Sequence, residues 1–158
     1  MRNTQIQGAL VVVDGTGVLI RGRPGSGKSL AALGLMDRGH HLVADDLVEI
    51  SAGTDGRPVG TAVEEDVRME IRGLGIFKAQ ALYPSGTAPF SPIHFIVELD
   101  EYEPGSDAGR TRPDIATTRV MGCELLQVRL PVPRGADPAM LIELLARVFR
   151  THGTVTTE

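Results

Sequence analysis

Short apolar runs separated by glycine-rich turns make up most of the chain, and one longer run with helical spacing lies near its end. Residues 6–13 are mostly apolar or β-branched, and a turn at 14–17 separates them from a second apolar run at 18–21. This pattern predicts a β-hairpin. In residues 138–150 the apolar side chains recur at intervals of three and four, which predicts an amphipathic helix.

The segments between these two ends predict further strands and a second helix, so the chain falls in the α/β class. A helix begins at Lys28 and ends near Gly39, since glycine is a typical C-cap. The stretch at 64–71 fits either a short helix or a strand. Residues 100–113 are rich in charge, Gly and Pro, which predicts a mobile loop. Further strands are expected at 41–44, 47–50, 59–62, 94–99 and 125–132.

Composition and charge exclude several classes of function. A chain of 158 residues suits one domain, which we place at 1–150, followed by a polar C-terminal tail at 151–158. The net charge of −4, the lack of a basic tract and the aromatic content of 4% argue against nucleic acid as a partner. No apolar run reaches membrane-spanning length and no signal peptide is visible, so we expect no membrane partner. The single cysteine, Cys123, allows no internal disulfide and suits the cytoplasm.

A glycine-rich loop between the predicted hairpin and the first helix carries the clearest chemical signal. It fits the phosphate-binding (P-loop) pattern G-x-x-x-x-G-K-[ST] and stands between a strand and a helix, as that pattern requires. Its backbone N–H groups can surround a phosphate chain, Lys28 can reach the outer phosphates, and the Ser29 hydroxyl can hold Mg²⁺. We therefore expect ATP or a similar nucleotide here. The nucleotide-binding residues are Gly22, Arg23, Pro24, Gly25, Ser26, Gly27, Lys28 and Ser29.

An acidic pair, Asp45 and Asp46, follows the strand predicted after the P-loop helix. In open α/β sheets, ligands lie outside the carboxyl ends of the strands, so these carboxylates are expected beside the phosphates. One could accept a proton from an attacking hydroxyl while the other helps to hold Mg²⁺. Spacing alone is equally compatible with an Asx turn or a solvated cap.

Two segments after the loop resemble the HPr kinase/phosphorylase family. Residues 39–46 (GHHLVADD) resemble the family's segment after the P-loop, and residues 70–76 (EIRGLGI) look like its signature. Residues 130–132 (LPV), followed by Glu143 and Ala146, are similar to its final strand and helix. The resemblance covers roughly residues 6 to 150, the catalytic domain, so the chain looks like a short bacterial form without the additional N-terminal domain.

This resemblance implies a fold and an activity. The fold would be a P-loop core like that of HPr kinase and phosphoenolpyruvate carboxykinase, with a mixed sheet and flanking helices. The activity would be transfer of phosphate from ATP, with Mg²⁺, to a serine of the phosphocarrier protein HPr or an HPr-like carrier. Many members also catalyse the reverse phosphorolysis. The family assembles as hexamers, and its final helix helps to engage the protein substrate.

The resemblance also implies roles for single residues. Lys28 stabilises charge on the transferred group, and the Asp45–Asp46 pair supplies the proton acceptor, with base and metal partner left unassigned between the two. Arg72 lies in the catalytic signature segment. The metal contacts that the resemblance implies are Ser29, Asp46 and Glu70. Arg110 falls at the position of the family's loop arginine, with Arg112 as the competing choice.

The chain departs from the family pattern at two places. Gln7 stands where the family usually has a histidine, and glutamine carries no titratable proton. Residues 132–137 (VPRGAD) replace a segment that usually carries two arginines, with Ala136 and Asp137 in the altered part. These changes predict weakened phosphorolysis. They leave two alternatives to an HPr kinase: a P-loop kinase for another hydroxyl acceptor, and a nucleotide-sensing module without catalysis.

Overall fold

The computed structural model describes residues 4–105 and 112–156. The helices in this part of the chain are α1 (Lys28–Asp37), α2 (Ala79–Leu82) and α3 (Pro138–His152). The strands are β1 (Thr4–Gln7), β2 (Ala9–Val13), β3 (Thr16–Gly22), β4 (His41–Ala44), β5 (Leu47–Ala52), β6 (Pro58–Ala62), β7 (Arg68–Ile71), β8 (Gly75–Lys78), β9 (Phe90–Pro92), β10 (Phe95–Glu101), β11 (Asp114–Val120) and β12 (Cys123–Val132).

The strands form three sheets within these residues. The largest has the order β11-β12-β10-β3-β2-β4, a second has the order β1-β5-β6-β9, and β7 pairs with β8 in a hairpin. In the large sheet β10 is parallel to both β3 and β12, while β2 is antiparallel to β3 and β4. The carboxyl ends of β3, β4, β10 and β12 therefore meet at one edge, where ligands of α/β sheets are usually bound.

The large sheet is buried on both faces, which explains the unbroken apolar runs of its central strands. On one face, Val11 of β2 and Ile20 of β3 pack into a core with α1 and α3. On the other face, Leu10 and Leu19 pack against Val48 of the second sheet. Three layers result: helices, the large sheet and the small sheet.

α1 and α3 approach each other closely because the residues between them are small. A Cβ added to Gly34 of α1 would lie 2.8 Å from the Cβ of Ala139 of α3. Asp137 begins α3, since its side chain accepts a hydrogen bond from the backbone N–H of Ala139 at 3.0 Å. These two helices cover one face of the large sheet.

Several sequence-based boundaries were wrong in informative ways. The first apolar run is divided at Gly8, whose added Cβ would lie 2.7 Å from the carbonyl oxygen of Ile20, so β1 and β2 belong to different sheets. The ambiguous stretch at 64–71 contains a strand only from Arg68 onward. The loop predicted at 100–113 is shorter at its start, because β10 continues to Glu101. The tail predicted from 151 begins inside α3, which ends at His152.

Four elements were absent from the sequence prediction. They are α2, β8, β9 and β11. α2 and β9 have only four and three residues, which is too short for a periodic pattern. None of the helices in the described segments combines the length and the apolar character needed to cross a bilayer.

Candidate active site

The glycine-rich loop leaves the carboxyl end of β3 and turns into α1. Gly25 and Gly27 have φ angles of 82° and 95°, a left-handed conformation that glycine adopts without a steric penalty. Gly22 must also be small, because a Cβ there would lie 2.4 Å from Ser26 Oγ. The Ser26 hydroxyl oxygen is buried and has no hydrogen-bond partner in the described part of the chain. The loop is thus a narrow backbone cradle with a spare polar group inside it.

Lys28 lies at the first position of α1 and points back into the loop. Its Nζ donates to the carbonyl oxygens of Gly22 at 2.8 Å and Arg23 at 3.3 Å. The ammonium group therefore stays next to the backbone that would surround a phosphate chain. Its positive charge adds to that of the helix N-terminus.

Ser29 and Asp45 are in direct contact. Ser29 Oγ lies 2.9 Å from Asp45 Oδ2 and 3.1 Å from Oδ1, and the hydroxyl donates to the carboxylate. β4 is not adjacent to β3, because β2 lies between them. The two strands nevertheless run in the same direction, so Asp45 emerges at the same edge as the P-loop and meets the first turn of α1.

The carboxyl of Asp45 has an unusual proton affinity. Burial raises its pKa from 3.8 to about 6, and the nearby charge of Asp46 acts in the same direction. The Ser29 hydrogen bond and the charge of Lys28 oppose this shift. At pH 7 most of the Asp45 carboxyl is ionised, because this pH is only a little above its pKa.

Asp46 is exposed and has a φ of 68°, so this non-glycine residue is held in the left-handed region. Asp is among the few residue types that adopt this region at low cost. The carbonyl oxygen of Asp46 accepts a hydrogen bond from the backbone N–H of Gly8 at 2.9 Å. This bond places Gln7, the residue that replaces the expected histidine, next to the acidic pair.

The β7–β8 hairpin brings the signature segment to the same region. Met69 and Ile71 pack into the core that contains α1, which fixes the hairpin against the P-loop helix. The guanidinium of Arg72 lies 3.9 Å from the position of a Cβ added to Gly25. Glu70 is exposed on the outer face of β7, and within the described residues no hydrogen bond or ion pair joins it to the acidic pair.

Of the two candidate loop arginines, only Arg112 lies within the described residues. Arg110 lies outside the described residues. Arg112 is exposed at the start of the segment that leads into β11. The choice between them stays a prediction.

The altered terminal segment lies between β12 and α3. Asp137 is engaged as the cap of α3, and its Oδ1 lies 3.9 Å from the position of a Cβ on Gly34. Arg134 is exposed, and Ala136 donates its backbone N–H to the carbonyl oxygen of Pro133 at 3.0 Å. The Asp137 carboxylate is therefore engaged with the backbone N–H of Ala139 at the start of α3.

One polar cluster lay beyond the reach of sequence reasoning. The buried carboxylate of Glu143 in α3 accepts hydrogen bonds from Arg38 and lies 2.6 Å from His40 Nε2. These hydrogen bonds hold the pKa of Glu143 well below its usual value, at about 2. More than 100 residues separate Glu143 from both partners along the chain, so no local pattern connects them. The sequence showed only that Glu143 and the segment 39–46, which contains His40, each resemble parts of the family, and nothing in it joined the two.

The residues around the loop fit a nucleotide with a divalent cation. The cradle of positive-φ glycines and the spare Ser26 hydroxyl suit a phosphate chain. The Ser29 hydroxyl and Asp45 carboxylate are hard oxygen donors, which Mg²⁺ prefers. Among residues 4–105 and 112–156 no group of three or more His, Cys, Asp or Glu is arranged to hold a metal ion. Mg²⁺ at nucleotide sites usually needs only one or two carboxylates, because phosphates and water complete its shell.

Comparison with known proteins decides the family. Residues 1–157 match the family described as the HPr Serine kinase C-terminal domain. The chain belongs to this family. The resemblance inferred from residues 39–46 and 70–76 is confirmed, and so is the α/β fold with a mixed sheet and flanking helices.

The relatives in the HPr kinase family share the fold and much of the sequence. The HPr kinase/phosphorylase of Geobacillus sp. (strain WCH70) is 38% identical over 149 residues, which are 93% of this chain and 48% of that protein. The corresponding protein of Bacillus subtilis (strain 168) is 39% identical over 149 residues, again 93% of this chain and 48% of the relative. The solved HPr(Ser) kinase/phosphatase from Coxiella burnetii is 27% identical, with a TM-score of 0.83 over 94% of this chain and 91% of that one. The chain thus spans about half the length of the curated relatives it matches.

Proposed function

We propose that this protein is an ATP-dependent kinase that phosphorylates a serine of HPr or of an HPr-like phosphocarrier. The contact between Ser29 of the P-loop and Asp45 carries the proposal, because it joins a phosphate-binding element to a carboxylate in the way phosphoryl transfer requires. Membership of the HPr kinase family supports the choice of acceptor, since its relatives are named for HPr.

The loop residues and the acidic pair would hold the cofactors. Residues 22–29 would hold the phosphates of ATP, and the oxygens of the Ser29 hydroxyl and the Asp45 carboxylate would hold Mg²⁺. When bound, Mg²⁺-ATP supplies the phosphoryl group and neutralises part of its charge. The hydrogen bond from Ser29 supports giving this metal contact to Asp45 in place of Asp46, the residue predicted from the sequence. Glu70 stays a proposed second contact.

The protein's own groups position and move the proton. Asp46 accepts the proton of the acceptor hydroxyl, a role favoured by its exposure and by its left-handed backbone conformation. Lys28 and Arg72 stabilise negative charge on the transferred group from two sides of the loop. Arg110 or Arg112 stays the proposed loop arginine of the site. The rate gain comes mainly from positioning and fixed charges.

We also propose that the reverse reaction is weakened. Gln7 stands beside the acidic pair through the Gly8–Asp46 hydrogen bond, and glutamine can neither carry a proton nor a positive charge. Ala136 removes a further cationic position. Inorganic phosphate, the attacking group of phosphorolysis, therefore meets less positive charge than in relatives with the usual residues. On the family resemblance alone, we also propose that the protein forms a homo-hexamer.

Transfer from labelled ATP with Mg²⁺ to HPr and other candidate carriers tests the proposal. Label should appear on a serine of HPr and should be lost in Asp45→Ala and Asp46→Ala. Label on a different hydroxyl compound would replace the acceptor and keep the kinase. ATP binding without transfer to any acceptor would favour a nucleotide-sensing module instead.

A further inference from the structure

Glu143 is a buried carboxylate in the middle of α3, with only 5% of its surface exposed. Its Oε1 lies 2.7 Å from Arg38 Nη2, and its Oε2 lies 3.0 Å from Arg38 Nε and 2.6 Å from His40 Nε2. Arg147, one turn later in α3, also reaches Oε1 at 3.2 Å and lies 3.5 Å from Asp14. Both carboxylate oxygens are therefore fully engaged.

The partners of Glu143 flank two elements that carry the proposed site at their opposite ends. Arg38 is the residue at the C-terminal end of α1, and α1 begins with Lys28 and Ser29. His40 directly precedes β4, and β4 leads to Asp45. At the site, Ser29 and Asp45 form a hydrogen bond. α1 and β4 are thus held together by that bond at the site, and at the other end by the short connection through residues 38–40, which Glu143 fixes against α3.

The two elements are also nearly equal in length. Ser29 and Arg38 are nine positions apart, about 14 Å at the helical rise of 1.5 Å per residue. His40 and Asp45 are five positions apart, about 17 Å at the extended rise of 3.3 Å per residue. The Glu143 cluster and the Ser29–Asp45 contact therefore lie at opposite ends of the same helix and strand.

Apolar packing holds the body of α1, and a polar contact holds its C-terminal end. Ala31, Ala32, Leu35 and Met36 are buried, and Gly34 faces Ala139. The two-bond contact between Arg38 and Glu143 has a defined planar geometry, so it fixes both distance and orientation.

We propose that Glu143 is a positioning residue for phosphoryl transfer, which holds Arg38 and His40 so that α1 and β4 present Ser29 and Asp45 in the correct relative placement. This inference rests on the proposed kinase function. It does not make Glu143 a catalytic residue, since it acts through Arg38 and His40 and lies at the far end of both elements.

Two arginine variants separate positioning from general stabilisation. Arg38→Gln and Arg147→Gln each remove one guanidinium from the same carboxylate, but only Arg38 caps the end of α1. Arg38→Gln should lower kcat roughly tenfold, with KM for ATP changed by less than about twofold, because misplacement of reacting groups costs rate more than binding. Arg147→Gln should leave kcat within about twofold of the parent protein. Equal effects of the two variants on kcat, or no effect of either, would overturn the proposal.

A third variant tests whether the residues act as a unit. Glu143→Gln should reproduce the loss of kcat seen in Arg38→Gln, and the double variant should be no slower than Glu143→Gln alone. Multiplicative losses in the double variant would contradict a shared role. Thermal unfolding of each variant gives its folded fraction, to which kcat is normalised.

A measurement without turnover keeps this inference separate from the proposed function. In ¹⁵N-labelled protein, the backbone amide shifts of Ser29 and Asp45 should change in Arg38→Gln and stay unchanged in Arg147→Gln. If both variants or neither moved these resonances, the positioning role would be wrong even in an active kinase. If the parent protein transferred no phosphate at all, the proposed function would fail, and the amide shifts would still decide whether Glu143 sets the Ser29–Asp45 contact.

Discussion

Ser29 Oγ lies 2.9 Å from Asp45 Oδ2, so the P-loop hydroxyl and the acid that follows β4 form a single unit. Sixteen residues of sequence separate them, and α1 and β4 bring them together. Burial at this contact raises the pKa of Asp45 to about 6. In the metal-free protein the negative charge of Asp45 therefore lowers the free energy of unfolding. The direction of the pKa shift determines how this effect varies with pH.

Replacing Asp45 by asparagine should stabilise the metal-free protein at pH 8. The folded-state pKa of Asp45 is above its unfolded value of 3.8, so the ionised group destabilises the fold. The gain in unfolding free energy should be about 2 kcal/mol at pH 8 and should vanish as pH falls from 6 to 4. Urea unfolding at several pH values measures it. Asp66→Asn is the control, because Asp66 is exposed and pairs with Lys78 at 3.7 Å. This variant should show no such pH-dependent gain in unfolding free energy.

The Mg²⁺ requirement of the kinase should increase as pH falls through about 6. Below that pH Asp45 becomes protonated in the metal-free protein, and a neutral carboxyl is a poor Mg²⁺ ligand. The Mg²⁺ concentration for half-maximal rate, measured at constant free ATP from pH 5 to pH 8, should rise on the acidic side. A flat profile would argue against a metal contact by Asp45.

Phosphorolysis should be slow relative to phosphorylation. Phosphoserine HPr, inorganic phosphate and Mg²⁺ should release pyrophosphate at a rate well below that of the forward reaction, because Gln7 and Ala136 leave the phosphate site with less positive charge. Gln7→His should increase the reverse rate more at pH 6 than at pH 8, since histidine is cationic only at the lower pH. Rapid pyrophosphate release by the parent protein would overturn this prediction.

Loss of the Glu143 charge should destabilise the fold at neutral pH. Glu143→Gln weakens the charge-assisted hydrogen bonds to Arg38 and His40, which should lower the free energy of unfolding by about 2 kcal/mol. The folded-state pKa of about 2 lies below the unfolded value of 4.5, so the stabilisation is complete above 4.5 and is lost as pH falls toward 2. The two proteins should therefore converge in stability over that range. Glu124→Gln removes an exposed ion pair with Arg119 and should change stability by less than about 1 kcal/mol.

Gly17 should tolerate no side chain. A Cβ there would lie 1.8 Å from the carbonyl oxygen of Pro92, which is backbone and cannot move independently. Gly17→Ala should cost about 3 kcal/mol or more, as measured by chemical unfolding. Gly122→Ala separates this clash from backbone strain, since Gly122 has a φ of 79° and no atom within 4 Å. It should cost only about 1 kcal/mol.

Local patterns were sufficient to predict the parts of the fold that depend on neighbours in sequence. The P-loop between β3 and α1 was predicted because glycine spacing and flanking elements coincide there. The spacing of apolar residues predicted α3, and the acidic pair was correctly placed after β4. In each case the structure follows from residues within about one element of each other.

The remaining features depend on contacts between distant segments. The division of the first apolar run at Gly8 follows from the close approach of β3, and the Glu143 cluster joins residues more than 100 positions apart. The insertion of β2 between β3 and β4 is likewise a property of the whole sheet. Composition and periodicity within a short stretch of sequence therefore could not predict these contacts.

Mapping of the phosphorylated residue in HPr tests the central proposal most directly. HPr is incubated with ATP, Mg²⁺ and either the parent protein or Asp46→Asn, and the product is analysed by peptide mass spectrometry. The account predicts one phosphoserine in HPr with the parent protein and at least a hundredfold slower formation with Asp46→Asn, since general base catalysis contributes about 10²-fold or more. Unmodified HPr in the presence of protein that binds Mg²⁺-ATP would contradict it.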